Sequence, residues 1–138
     1  MRLTPIALAA PLLALSVPAA GHNAPTDAPP VSGGDLGCVI RLVVMAAAAD
    51  KGAENPQKSE KDRETSRESA RKARHDMAWY LARLELTPDN GQRPAEGFKI
   101  YGEFMKLPAE AMLKEIDLCQ SWSREHQTAT LSSIKTKP

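Results

Sequence analysis

Two cysteines, Cys38 and Cys119, constrain the fold of this 138-residue chain more than any other feature of its sequence. They are separated by 81 positions, which excludes the C-x-x-C pattern of thioredoxin-like redox sites and of haem attachment. An even number of cysteines in an exported protein indicates a disulfide, whereas the same pair in the cytosol would not. If the chain is exported, the pair predicts one structural disulfide that closes a long loop.

The amino terminus has the pattern of a cleavable export signal. Met1 and Arg2 form a short positive segment, and an apolar run over residues 6–17 follows. This run is shorter than the roughly 20 residues that cross a bilayer as a helix. Small residues come next, with the best cleavage site near Ala19. We therefore predict a signal peptide over residues 1–20, and a periplasmic or secreted mature protein with no stable membrane insertion.

The balance of charges excludes several classes of partner. The chain has 18 Lys and Arg against 17 Asp and Glu, and loss of the signal removes one arginine, so the mature protein is close to neutral. Nucleic-acid binding requires a basic patch or stripe, and binding to an anionic membrane surface requires a polybasic segment. We therefore expect neither a nucleic acid nor a membrane surface as the partner. The composition is compatible with binding to another periplasmic protein.

The composition favours an all-α fold. Alanine and leucine are frequent and only 4% of the residues are aromatic, which favours helices over strands. We predict a small three- to four-helix bundle with one disulfide over residues 35–128. A flexible tether rich in Pro and Gly is expected at 21–34, and a flexible tail at 129–138. The charged insert at 53–69 is either a solvated helical extension or a disordered loop.

Apolar periodicity and helix-end residues place four helices. The first is predicted from Leu36 to about Asp50, with Asp35 as its N-cap and Gly52 as its end. It is apolar on nearly every side and is expected to be the central element. The second combines the charged insert, which is expected to overhang the first helix, with an apolar stripe that ends near Leu84.

Two shorter apolar stripes define the last two helices. The third helix is predicted from Pro94 to Lys106, and the fourth is expected to begin at Pro108 and to fray after His126. The residues expected to face inward from the third helix are Phe98, Tyr101, Phe104 and Met105. Those expected to face inward from the fourth are Met112, Leu113, Ile116, Cys119 and Ser123.

An up-down-up-down arrangement makes the first and last helices antiparallel. The disulfide would then set their register, with Cys38 opposite Cys119. One turn further along the first helix, Arg41 would lie opposite Glu115. Because an unpaired buried charge is costly, we predict that Arg41 is partly buried and forms an ion pair with Glu115.

No pattern of catalytic, cofactor-binding or metal-binding residues is present. Zinc-protease, nucleophile-elbow, Walker and dinucleotide motifs are all missing. The histidines, His22, His75 and His126, are scattered over three segments, and the disulfide would consume both cysteines. We predict that the protein is not an enzyme and has no cofactor.

Three short segments are similar to a family of small exported all-helical proteins from alphaproteobacteria. They are Cys38-Val39-Ile40, then Trp79-Tyr80-Leu81-Ala82-Arg83-Leu84, and finally the lone Cys119. In that family an apolar helix with the first cysteine precedes a Tyr-[Phe/Leu]-Leu-Gly-Arg-[Ile/Leu]-like segment and a second cysteine. Ala82 replaces the usual glycine here. The resemblance implies a helical fold and export, and it assigns no active residue.

Two functional hypotheses follow from these observations. The first is a non-enzymatic periplasmic interaction protein, chaperone-like or accessory to an envelope-stress response. The alternative is a helical bundle that binds a small ligand or cofactor, which requires an enclosed pocket with a few converging polar groups. Arg83, Tyr80 and Tyr101 are the candidates for that pocket.

Overall fold

A computed structural model describes residues 27–135, with side chains as far as residue 129. This stretch contains four helices and no strand: α1 (Gly34–Glu54), α2 (Glu60–Glu85), α3 (Arg93–Phe104) and α4 (Ala109–Lys135). The all-α bundle is therefore confirmed. The predicted signal peptide, its cleavage site near Ala19 and the start of the tether lie outside the described residues.

Helix α1 is the centre of the bundle and packs against each of the other three helices. Its ion pairs from Asp35 to Arg83 and from Asp50 to Arg74 show that α2 runs antiparallel to it. Helix α4 is also antiparallel to α1, as the disulfide and the Arg41–Glu115 pair show. The buried core residues are Cys38, Val39, Leu42, Ala46, Ala73, Tyr80 and Cys119.

The predicted disulfide is confirmed. Cys38 in α1 and Cys119 in α4 are bonded, with Cα atoms 5.5 Å apart, and both residues are fully buried. The bond lies in the middle of the core, beside Leu42 and Tyr80. It therefore attaches the last helix to the first inside the core, where Trp79 and Trp122 also pack.

Both predicted ends of α1 are wrong. The N-cap is Gly33, with φ 82°, and Asp35 lies inside the first turn, where its carboxylate accepts from Arg83. At the other end, α1 continues through Gly52 to Glu54. A Cβ at Gly52 would lie 2.8 Å from the Ser66 Oγ. This glycine therefore allows close approach of α2 and does not end the helix.

The charged insert is helical from Glu60 onward. Ser59 is the N-cap of α2, and its Oγ accepts from the Asp62 amide. Exposed ion pairs follow along the helix, including Glu68 with Lys72 at 2.8 Å, and such pairs add little stability because solvent screens the charges. Since α1 reaches as far as Ser66 of α2, the predicted overhang is mostly absent.

The inward face of α3 differs from the prediction. Gly97, Ile100 and Phe104 are buried, whereas Phe98 is 78% exposed and both Tyr101 and Met105 are 46% exposed. The Ile40 side chain lies 3.8 Å from the position that a Cβ on Gly97 would occupy. Because α1 packs on the face of α3 that carries Gly97, Ile100 and Phe104, the side chains of Phe98, Tyr101 and Met105 lie towards the surface.

Helix α4 is longer than predicted. It continues to Lys135 instead of fraying after His126. Of its expected inner residues, Ile116, Cys119 and Ser123 are buried, but Leu113 is 66% exposed.

Residues 27–33, expected to be part of a flexible tether, lie against the bundle. Pro29 is buried, and the carbonyl of Asp27 accepts a hydrogen bond from the Arg83 guanidinium. Further along, the carbonyl of Ser32 accepts from Arg41 Nη1 at 3.2 Å. Arginines from two helices therefore bind this segment through its backbone, which a composition-based prediction of flexibility does not anticipate.

We expect Gly37→Ala to destabilise the fold, by about 2 to 3 kcal/mol. A Cβ at position 37 would lie 2.0 Å from the carbonyl oxygen of Ser32 and 2.9 Å from Arg41 Nη1, so the 27–33 segment would have to move. Gly102→Ala is the matched control, because it also lies in a helix and its Cβ would meet nothing within 4 Å. In urea denaturation, Gly102→Ala should be as stable as the wild type or up to about 1 kcal/mol more stable. Equal effects of Gly37→Ala and Gly102→Ala on stability would contradict the close contact between residue 37 and the Ser32 carbonyl.

Candidate functional site

The structure brings together the two residues expected to form a buried ion pair. Arg41 is 2% exposed, and its Nη2 lies 2.7 Å from Glu115 Oε2. Its Nη1 also donates to the Gly37 carbonyl at 2.7 Å, and the guanidinium lies over the Phe104 ring, 5.1 Å from its centroid. With these partners, Arg41 joins α1, α3 and α4, and we assign it a structural role.

The three polar residues expected to line a ligand pocket do not converge. Arg83 lies between two indoles, with its guanidinium carbon 5.0 Å from the Trp79 ring centroid and 4.7 Å from that of Trp122. Its Nε donates to both carboxylate oxygens of Asp35, at 3.1 and 3.2 Å. The guanidinium of Arg83 is therefore held by stacking and hydrogen bonds within the fold.

The hydroxyl of Tyr80 is likewise bonded to another group inside the fold. Its ring is fully buried, and its hydroxyl donates to the Cys119 carbonyl at 2.6 Å. Burial, together with the nearby carboxylates of Asp35 and Asp76, raises the pKa of the phenol, so it acts as a neutral donor. Tyr101 lies in a different groove, on α3. The arrangement anticipated for a small ligand is therefore not formed by these residues.

The histidines do not form a metal site in the described part of the chain. His75 is on the exposed side of α2, while the ring of His126 stacks on Trp122 with centroids 3.7 Å apart. His22 lies outside the described residues. Between residues 27 and 129, no group of three or more His, Cys, Asp or Glu side chains is arranged to hold a metal ion.

An apolar groove lies at the surface between α1 and α3. It has a volume of about 580 Å³. Its lining residues are Leu36, Ile40, Arg93, Pro94, Gly97, Phe98 and Tyr101. Arg93 is the one charged residue in this lining, and its guanidinium donates to the carbonyls of Leu84 and Thr87, at 2.7 and 2.8 Å. We call this feature the α1–α3 groove.

The apolar surface continues along α1 beyond the α1–α3 groove. Val43, one helical turn after Ile40, is 46% exposed. A second depression of about 450 Å³ is lined by residues of α1, α2 and α4, among them Leu113, which is 66% exposed. Sequence reasoning missed the groove because it assigned the Phe98–Tyr101–Met105 stripe to the core. The glycine at position 97 was the available signal for the opposite face.

Two further findings bear on the type of protein. Within residues 27–135, no helix combines the length and the apolar character that crossing a bilayer requires. Comparison with protein-family models, curated proteins and solved structures gave no match to this chain.

Proposed function

We propose that this is an exported, non-enzymatic interaction protein that holds an apolar segment of another periplasmic protein in the α1–α3 groove. A chaperone-like or envelope-stress role fits this activity. The observation that carries the proposal is the side chain of Phe98, which is 78% exposed beside an apolar groove. Contiguous exposed apolar surface is typical of protein-binding sites.

The energetics of the groove favour docking of an apolar side chain. Covering a large apolar side chain contributes about 1.5–3 kcal/mol, and Phe98 has most of its surface still available. Arg93 already has protein acceptors for its guanidinium, so a partner would not have to remove an unpaired charge from water. Binding in the groove would therefore gain apolar burial at little electrostatic cost.

The proposed compartment is supported by the amino-terminal pattern and by the cysteine pair. Residues 1–20 have the composition of an export signal. A structural disulfide is typical of proteins that fold in an oxidising environment such as the periplasm. The resemblance of the cysteine-bearing and Trp79–Leu84 segments to exported alphaproteobacterial proteins points to the same compartment.

The test is an aggregation assay with a defined client, reduced α-lactalbumin, followed by light scattering at neutral and acidic pH. We expect the wild-type protein to suppress aggregation, and Phe98→Asp to need roughly tenfold more protein for the same effect, because the docking contact is lost. Leu81→Asp is the matched control, since Leu81 is 43% exposed on α2 and lies outside the groove. No suppression by the wild type, or equal loss in both variants, would refute the proposal.

A further inference from the structure

A polar cleft between α2 and α4 lies apart from the α1–α3 groove and has a volume of about 400 Å³. Met45 of α1 forms its apolar wall. The charged and polar residues that line it include Lys72, His75 and Asp76 from α2 and Asp117, Arg124 and Gln127 from α4. Neither the proposed protein interaction nor the structural role of Arg41 uses any of these side chains.

Asp76 is the most unusual group in the cleft. Its side chain is only 9% exposed, yet within the described residues its carboxylate accepts no hydrogen bond from the protein. The nearest charged group is His75, whose Nδ1 lies 3.5 Å from Asp76 Oδ1, beyond the usual N–H···O range. The carboxylate oxygens are not among the fully buried unpaired atoms, so they remain open to the cleft, where a donor from outside the chain can reach them.

A second unsatisfied group lies in the same cleft. Nε2 of Gln127 is buried and has no hydrogen-bond acceptor in the described structure. Asp76 therefore lacks a donor on one side of the cleft, and Gln127 lacks an acceptor on the other. A bound molecule that carries both a donor and an acceptor would satisfy both groups.

The charges of the cleft indicate what kind of molecule fits. Two cations, Lys72 and Arg124, balance two carboxylates, Asp76 and Asp117. The Lys72 ammonium is 2.8 Å from Glu68, but Arg124 only donates to the backbone and hydroxyl groups of its own helix. Its guanidinium, with five N–H donors, has bonding capacity left for an anion. This balance favours a molecule that is itself neutral but has separated charges.

We propose that this cleft binds a small zwitterion of the α-amino-acid class, with its ammonium group on Asp76 and its carboxylate on Arg124 and Gln127. The ammonium supplies the donors that Asp76 lacks, and the carboxylate supplies the acceptor for Gln127 Nε2. The side chain of the amino acid would lie towards Met45.

The test uses the oxidised full-length mature protein and measures its melting temperature. The probes are L-alanine, L-glutamate and L-lysine, with sodium acetate and methylammonium chloride as the corresponding half-ligands. At about ten times its dissociation constant, the best amino acid should raise the Tm by roughly 5 °C. The two half-ligands should have no such effect, because neither bridges the two helices. No shift with any amino acid, or an equal shift with either salt, would overturn the proposal.

Asp76→Asn and Glu125→Gln provide the matched variants, since each removes one negative charge and Glu125 is exposed on α4 outside the cleft. Calorimetric affinity for the best amino acid should fall at least tenfold in Asp76→Asn and should be unchanged in Glu125→Gln. Without ligand, Asp76→Asn should melt at the same temperature as the wild type or higher, because it removes an unpaired buried charge. A lower melting temperature would show that the carboxylate has a structural partner, and would overturn the assignment.

Discussion

Replacing both cysteines with alanine should leave the protein largely unfolded at 37 °C. The disulfide closes a loop across 81 positions, and in the chain-entropy model its loss costs about 4–5 kcal/mol. Small domains have a total stability of only about 5–15 kcal/mol, and here the largest fully buried apolar side chains are Tyr80, Phe104 and Leu42. Circular dichroism during thermal denaturation should show a loss of most helical signal at 37 °C in Cys38→Ala/Cys119→Ala.

Reduction of the wild-type protein by dithiothreitol under mild denaturation provides the control for this double variant. Both sulfur atoms are buried, so the bond should be reduced only when the chain opens, and the reduced protein should then melt at the same temperature as the alanine variant. A double variant whose melting temperature stays within a few degrees of the oxidised wild type would show that helix packing alone is sufficient.

The second large effect is expected at the buried ion pair. Glu115→Gln should destabilise the protein by about 3 kcal/mol, the lower end of the range for removing one partner of a buried pair. The lower end applies because the Glu115 side chain is 31% exposed and because Arg41 keeps its bonds to the carbonyls of Gly37 and Ser32. Urea denaturation monitored by Trp fluorescence would measure this change.

The corresponding double variant separates the pair from its surroundings. Arg41→Met/Glu115→Met replaces both charges with apolar groups of similar length, and we expect its stability to lie within about 1 kcal/mol of the wild type. Glu110→Gln, an exposed position on the first turn of α4, should change stability by less than about 0.5 kcal/mol. A loss of 3 kcal/mol or more in the double variant would show that the contacts of Arg41 with the backbone outweigh its pairing with Glu115.

Local sequence pattern was sufficient to predict the order of the helices and the register of the outer two. Alanine- and leucine-rich stretches can bury apolar surface only as helices here, since no partner strand is available. Once Cys38 and Cys119 were paired, the antiparallel geometry placed Arg41 beside Glu115 because both lie about one helical turn from the cysteines. The disulfide and the fixed helical repeat together were thus sufficient to predict the contact between Arg41 and Glu115.

Helix α3 shows where local pattern was insufficient. It has two candidate faces, one formed by Gly97, Ile100 and Phe104 and the other by Phe98 and Tyr101. We predicted that Phe104 faces inward together with Phe98 and Tyr101, but α1 packs against the face of Gly97, Ile100 and Phe104. Hydrophobicity alone does not distinguish such faces, because the contact depends on the shape of the neighbouring helix.

The α2–α4 cleft was also beyond sequence reasoning. Asp76 lies in a run of charged residues that is typical of a solvated helix face, and Gln127 follows His126, after which the last helix was expected to fray. Asp76 is buried in the folded bundle and lines a cleft that also contains Arg124 and Gln127 of α4. Burial of an individual polar side chain depends on long-range packing, which the sequence spacing within one helix does not encode.

By itself, the sequence determined an all-helical domain, one disulfide between its first and last helices, and the Arg41–Glu115 pair predicted from that register. These features follow from local propensity and from one cross-link, both of which can be read along the chain. The tertiary structure decided which face of α3 is exposed, that residues 27–33 pack on the bundle, and that a buried carboxylate lines a polar cleft. These depend on how closely particular helices approach one another, and Gly52 is a small residue that allows such an approach.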